Sequence, residues 1–391
     1  MVAFGRSLRP LWHLAPEGVF LNHGSFGACP KAVLEAQSRW RETMERQPDV
    51  FFRRTTSALN PGNGLRQAAA RLGAFIGARG DHIAFVSNLT EAVSIILSGM
   101  PLGAGDEILL LDCVYNSVRR AVDEKCRETG ARPVIVDLSL SPDPDGCLAR
   151  VAAAVMPNTR LAIIDHIASA PALMFPVKAM TRALQAKGVR VLVDGAHALG
   201  HVGLALDDIG ADWYTANAHK WLFAPKGTAF LHARDPQAID LRPLATSHYA
   251  GEPFPLCFDY VGTRDVTPFL TVPDALDFIE GQLGGAAAYQ AYMHGLSRAG
   301  KAVIARLGLA PIAPDTMFAA MHAFHLPQRR PVAPEDALEI IDGFWDRHRI
   351  QVAASAHLGR LVLRLSAQAY VGIEDYEQLA AVLDRHGWPG R

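Results

Sequence analysis

The chain has 391 residues, half of them hydrophobic and a fifth charged, with 38 basic against 39 acidic side chains and a net charge of −1. That length suits one large α/β domain with a smaller one beside it. The balanced charge, without a block of one sign, argues against nucleic acid or an anionic membrane as partner. Five scattered cysteines (Cys29, Cys113, Cys126, Cys147 and Cys257) show no CxxC spacing, which fits reduced thiols rather than a disulfide framework. No run approaches the ~18 apolar residues of a membrane-spanning helix. Arg6 and Arg9 are followed by LWHLAPEGVF, too short and too polar for a signal peptide. The expectation is a soluble, cytoplasmic protein.

Residues 1–60 read as irregular apart from a helix from Lys31 to about Arg46. LNHGSFGACP is a polar turn suited to a docking arm. From about Arg66 to Ala233 short apolar strands alternate with helical segments, the mark of βαβ units and a mainly parallel sheet. Strands are predicted at 82–87, 107–112, 133–138, 161–166, 189–194, 213–216 and 228–232. In open sheets of this kind ligands sit beyond the carboxyl ends of the strands, so the residues just after each strand matter most.

Asn88-Leu89-Thr90-Glu91 opens a helix whose free first-turn N–H groups would cradle a phosphate. Tyr115 follows the next strand and could stack on a planar ring. Ser169 lies in the polar segment after Leu161–His166. Asp194 ends the apolar run VRVLVD, where an unpaired carboxylate is costly to bury, and His197 stands three positions on. Lys220 lies in ANAHKW after the strand DWYTA. A lysine forms a Schiff base only as the neutral amine, so it needs desolvation or positive neighbours. A carboxylate at the end of a buried strand and such a lysine suit a covalently held pyridoxal 5′-phosphate (PLP), with Asp194 keeping the pyridine nitrogen protonated. A metal site at Asp194 and His197 lacks a third ligand with fitting spacing.

Beyond the sheet come a loop with Thr263, a helix from Pro268 to about Gln282, and a second domain. The domain divisions expected are an arm 1–20, a large domain 21–265 and a small domain 266–391. The small domain is predicted to carry helices near 286–306, 334–348 and 373–386, with strands near 317–325, 350–354 and 361–366. Gly295–Lys301 matches GxxxxGK, but Ala302 replaces the Ser/Thr that would hold magnesium, and the run lies in a helical pattern. Arg364, in LVLRLSAQAY, can take a substrate carboxylate bidentately.

LNHGSFGACP, SNLTEAVS, VYNSVRRAV, VLVDGAHALG, ANAHKWLFAPKGTAFL, DYVGTRD and VLRLSAQAY together resemble the class V aminotransferases, and within them the isopenicillin N epimerase-like branch. The likeness runs from about residue 20 to the C-terminus. It implies the PLP-dependent fold type I: a large domain with a mainly parallel seven-stranded sheet sandwiched by helices, plus a smaller α/β C-terminal domain. It gives Lys220 the Schiff base and Asp194 the pyridine nitrogen. Tyr115, where many members have histidine, takes the ring face, and His197 sits near the ring oxygen. Leu89, Thr90, Asn217 and His219 would hold the phosphate, with Asn88 also on the cofactor. Asn217 stands where others carry serine. Ser169, also on the cofactor, stands where several have asparagine. Thr263 would reach the phosphate of a neighbouring subunit, implying a homodimer with shared sites. Arg364 and His23 would bind an amino-acid substrate.

The reaction implied is at Cα of an amino acid or amino-acid-derived small molecule, by transamination or epimerisation. β-Elimination of a thiol-type group is the alternative, and a non-catalytic PLP-binding protein a more distant one. Gln351–Arg360 has no cysteine, which argues against a persulfide-forming desulfurase.

Overall fold

The computed structural model describes residues 2–138, 143–328 and 332–385. Among them the apolar runs form a seven-stranded sheet: β1 (Ile83–Val86), β2 (Glu107–Leu111), β3 (Arg132–Val136), β4 (Thr159–Asp165), β5 (Arg190–Asp194), β6 (Trp213–Asn217) and β7 (Ala229–Ala233). The order is β1-β7-β6-β5-β4-β2-β3. β7 runs antiparallel to both neighbours, and the remaining pairings are parallel. β1, β2, β6 and β7 are buried at every position. That burial explains why they read as unbroken apolar runs: both faces are covered. β3 has a single neighbour and is half exposed, so it tolerates Pro133, whose missing N–H would break the ladder of a central strand.

Six strands thus point the same way and deliver their carboxyl ends to one edge. The helix Leu89–Gly99 starts there with Asn88 as N-cap, and the helix Asn116–Thr129 starts just after Tyr115.

A second sheet holds β8 (Met321–His325), β9 (Ala353–His357) and β10 (Arg360–Ser366), antiparallel in the order β9-β10-β8. The helices Ala286–Ala305 and Pro334–His348 pack on it, and Ile373–Arg385 packs on Ala286–Ala305. The strand expected at 350–354 is divided. Ile350–Gln351 pairs in parallel with Val19–Phe20, whereas Ala353–His357 turns into β10 through Leu358 and Gly359, both at positive φ. Two successive positive φ values are what a two-residue hairpin of this hand needs.

The first 60 residues carry more structure than expected. Besides the helix Lys31–Arg46 there is a helix Pro48–Thr55, begun by proline in its first turn. The segment before them is tied to the far end of the chain, with Arg6 on Asp375 at 2.6 Å and the Gly5 N–H on the Ala369 carbonyl at 2.8 Å. The GxxxxGK run lies inside the helix Ala286–Ala305, where Gly300 leaves room for the Tyr376 ring and Lys301 pairs with Asp315. It is a helix crossing. The five cysteines are free, and no described helix is long and apolar enough to cross a membrane.

Candidate functional site

The strand ends surround a cavity. Asn88, Leu89, Thr90 and Tyr115 line it from β1 and β2; Ser169, Asp194 and His197 from β4 and β5; Asn217, His219 and Lys220 from β6. Ser25 and Phe26 close it from the N-terminal stretch. The LNHGSFG turn is therefore a wall of the site rather than a distant arm. Gly27 explains its sequence: it sits at φ +70°, and a Cβ there would overlap the His219 carbonyl and the Lys220 backbone.

Lys220 Nζ lies 3.2 Å from His197 Nε2. Burial and the positive charge of Arg364 push the amine down to about 7, against the pull of Asp194. Burial and Lys220 also hold His197 well below its ordinary value, so the ring is neutral and its Nε2 shares a hydrogen bond with the amine. Asp194 is buried, with Oδ1 accepting the Ala196 N–H at 3.0 Å. Burial raises its carboxyl to about 6, opposed by that hydrogen bond and by Lys220. Such a carboxylate wants a cationic partner.

At the other end of the cavity Asn88 Oδ1 accepts the Glu91 N–H at 2.9 Å, and the Ser87 N–H reaches Glu91 at 2.7 Å. Asn217 Oδ1 takes the Leu89 N–H at 3.0 Å, so Asn217 holds the Leu89–Gly99 helix by its first amide. Thr90 Oγ1 is 2.9 Å from Ser117 Oγ. His219 donates from Nδ1 to the Thr228 carbonyl at 3.0 Å, and burial pushes it down to about 4, leaving a bare Nε2. Apart from Lys220, no lysine or arginine among the described residues lines this cavity. This end offers a helix N-terminus and hydroxyls, groups that suit an anion.

Arg364 lines an adjoining chamber that shares Ser25, Tyr115 and Ser169 with the first. Its Nη1 donates to the Ser169 carbonyl at 2.6 Å, and its Nη2 to Ser25 Oγ at 2.9 Å and Asn22 Oδ1 at 3.1 Å. Nε has no partner, and burial lowers the guanidinium to about 10. A buried cation surrounded by neutral acceptors is a receptor for an anion.

Two expected residues lie elsewhere. His23, expected at the substrate, does not line either chamber; it is fully buried, with Nε2 on the Lys220 carbonyl at 3.0 Å and Nδ1 on the Tyr370 hydroxyl at 2.7 Å. Both ring nitrogens are used inside the protein, so His23 supports the lysine backbone. Thr263 is exposed, 3.1 Å from the Tyr260 hydroxyl, and lines neither chamber of its own chain. Sequence reasoning missed Asn22 and Ser25, which hold Arg364, and Asp165, a buried carboxyl on the cavity wall. The signal for Asp165 was present: LLLD, AIID and VLVD are three apolar runs closing on aspartate.

These residues fit PLP. A carboxylate lacking a cation, a lysine poised near neutrality, a helix N-terminus opposite them and an arginine without a counter-ion are the complements of its pyridine nitrogen, aldehyde, phosphate and substrate carboxylate.

Comparison with known proteins agrees. The family profile described as aminotransferase class V matches residues 29–331. The chain is 32% identical to isopenicillin N epimerase of Streptomyces clavuligerus over 95% of each chain. It is 30% identical to L-cysteine desulfhydrase of Arabidopsis thaliana over 92% of this chain and 86% of that one. A cysteine desulfurase structure from Thermococcus onnurineus NA1 superposes with a TM-score of 0.81 at 17% identity, over 99% of this chain and 98% of that one, and shows the shared fold. This protein belongs to the aminotransferase class V family, with the type I fold and pyridoxal 5′-phosphate as its cofactor.

Proposed function

We propose that the protein is an enzyme acting at Cα of an α-amino acid or amino-acid-derived small molecule, as an aminotransferase or epimerase. One observation carries the reading: the buried Arg364 guanidinium, with neutral acceptors around it, stands beside a lysine whose amine is half neutral near pH 7. PLP supplies an electron sink that acidifies the Cα–H bond. Arg364 grips the substrate carboxylate and so fixes Cα relative to Lys220. Lys220 would hold the cofactor covalently, and its neutral amine beside Cα would take the α-proton. A hydrogen bond with His197 orients that amine. Asp194 would hold the cofactor's pyridine nitrogen and the Leu89–Gly99 helix its phosphate. A homodimer in which the exposed Thr263 of a neighbouring subunit reaches each site is part of this reading.

β-Elimination is the second reading, favoured by the relative named L-cysteine desulfhydrase. Gln351–Arg360, which runs into the hairpin of Ala353–His357 with Arg360–Ser366, contains no cysteine, so release of a free thiol fits better than persulfide transfer. A panel of amino acids incubated in deuterium oxide decides between them. Exchange at Cα with keto-acid release or loss of optical purity supports the first reading; pyruvate with a released thiol supports the second. No exchange with any amino acid would refute both.

A further inference from the structure

Three adjacent strands of the central sheet end alike. The register sets Asp165 beside Asp194. Leu110 pairs with Ile163, which, continued by two residues, brings Asp112 opposite Asp165. Paired residues on neighbouring strands project to one face about 5 Å apart, so Asp165 has a carboxyl group on each side.

The three differ in their partners. Asp112 accepts the Leu138 N–H at 3.0 Å, and Asp194 accepts that of Ala196 and faces Lys220. Asp165 is 2% exposed, lines the cofactor cavity, and has a buried Oδ2 without a hydrogen-bond partner. No cation among the described residues pairs with it; burial and the charges of Asp194 and Asp112 push its carboxyl well above the usual range. The nearby Cys113 thiol is itself pushed up by burial, so it adds no charge.

We propose that Asp165 is a positioning residue for the cofactor: a neutral acid whose Oδ2–H donates to the Asp194 carboxylate. The pair then carries one negative charge against the one positive charge of a protonated pyridine nitrogen. Two ionised carboxylates facing one pyridinium would leave a buried charge uncompensated. The shared proton removes that deficit, satisfies the orphaned oxygen and fixes which Asp194 oxygen faces the ring. The proposal rests on the PLP assignment and deepens it.

The test compares wild type with Asp165→Asn, which keeps a donor without a charge, and Asp165→Ala, which has neither. The infrared spectrum of the apo-protein at pH 8 should show the carbonyl stretch of a neutral carboxylic acid, absent from Asp165→Asn. PLP titrated into the apo-proteins should bind Asp165→Asn within threefold of wild type and Asp165→Ala at least tenfold more weakly. Loss of PLP from Asp165→Asn, or wild-type affinity in Asp165→Ala, would overturn the proposal, as would absence of the infrared band. Asp165→Asn is isosteric, so it separates an acid from an anion even where alanine does not fold. Failure of wild type to bind PLP would strike the cofactor assignment instead, because the infrared band is read without cofactor.

Discussion

The imidazole of His23 is held between the Lys220 carbonyl, 3.0 Å from Nε2, and the Tyr370 hydroxyl, 2.7 Å from Nδ1. Nε2 therefore donates and Nδ1 accepts. Burial pushes the ring down to about 3 and keeps it neutral. A histidine with a depressed folded value contributes stability above its ordinary 6.5, lost as pH falls toward 3. His23→Ala should cost about 3 kcal/mol at pH 8, from two lost hydrogen bonds and a cavity. Its acid-side decline between pH 6.5 and 4 should be shallower than that of wild type. Thermal denaturation across that range checks both.

Lys220 gives the same sign of pH dependence, but its removal should stabilise the apo-protein. Its amine is pushed from the ordinary 10.5 to about 7, so the unfolded chain binds an extra proton between those values, and stability rises with pH across that window. Apo Lys220→Met should be more stable than wild type at pH 8 by on the order of 2 kcal/mol. The advantage should shrink as pH approaches 10.5. The same variant should lose the cofactor's covalent absorbance at every pH, which spectrophotometry reads directly.

Arg364→Lys preserves charge but not the planar fork that reaches Ser169, Ser25 and Asn22 together. KM for an exchanging amino acid should rise at least ~10-fold, with kcat changing less. Arg364→Ala should lower kcat/KM by about 100- to 1,000-fold, equivalent to ~3–4 kcal/mol. Amines lacking a carboxylate should be indifferent to both changes.

Gly27→Ala should be among the most damaging single-methyl changes in the chain. The position needs a positive φ, and the new methyl would meet the His219 carbonyl and the Lys220 backbone. Backbone cannot swing aside as a side chain can, so a loss of about 3 kcal/mol or more is expected, together with weaker PLP retention. Chemical denaturation and cofactor content of the purified variant measure the two effects.

What the sequence disclosed follows from what is local. Asp194 and Lys220 were legible because each follows an apolar strand, and parallel strands must bring such ends to one edge. His23 was misplaced for the converse reason. A polar residue in a glycine-rich turn looks free to meet ligand, and its partner Tyr370 is 347 positions away. The break between Ile350–Gln351 and Ala353–His357 was equally hidden, since the pairing with Val19–Phe20 leaves no trace in local periodicity. Asp165 was overlooked because each strand end was read singly, whereas its meaning comes from the aspartates on either side.

The ties of the N-terminal stretch to residues 349–375 also bear on how the protein is made. Val19–Phe20 pairs with Ile350–Gln351, His23 rests on Tyr370, and Arg6 pairs with Asp375. At ribosomal rates of roughly 5–20 residues per second, these early residues wait tens of seconds for their partners. The wall formed by Ser25 and Phe26 is therefore set in place only once residues 349–375 have been made. A growing chain can complete its central sheet, with Lys220 at the edge, well before it owns a closed pocket, so the competence to hold a substrate follows the sheet and arrives all at once.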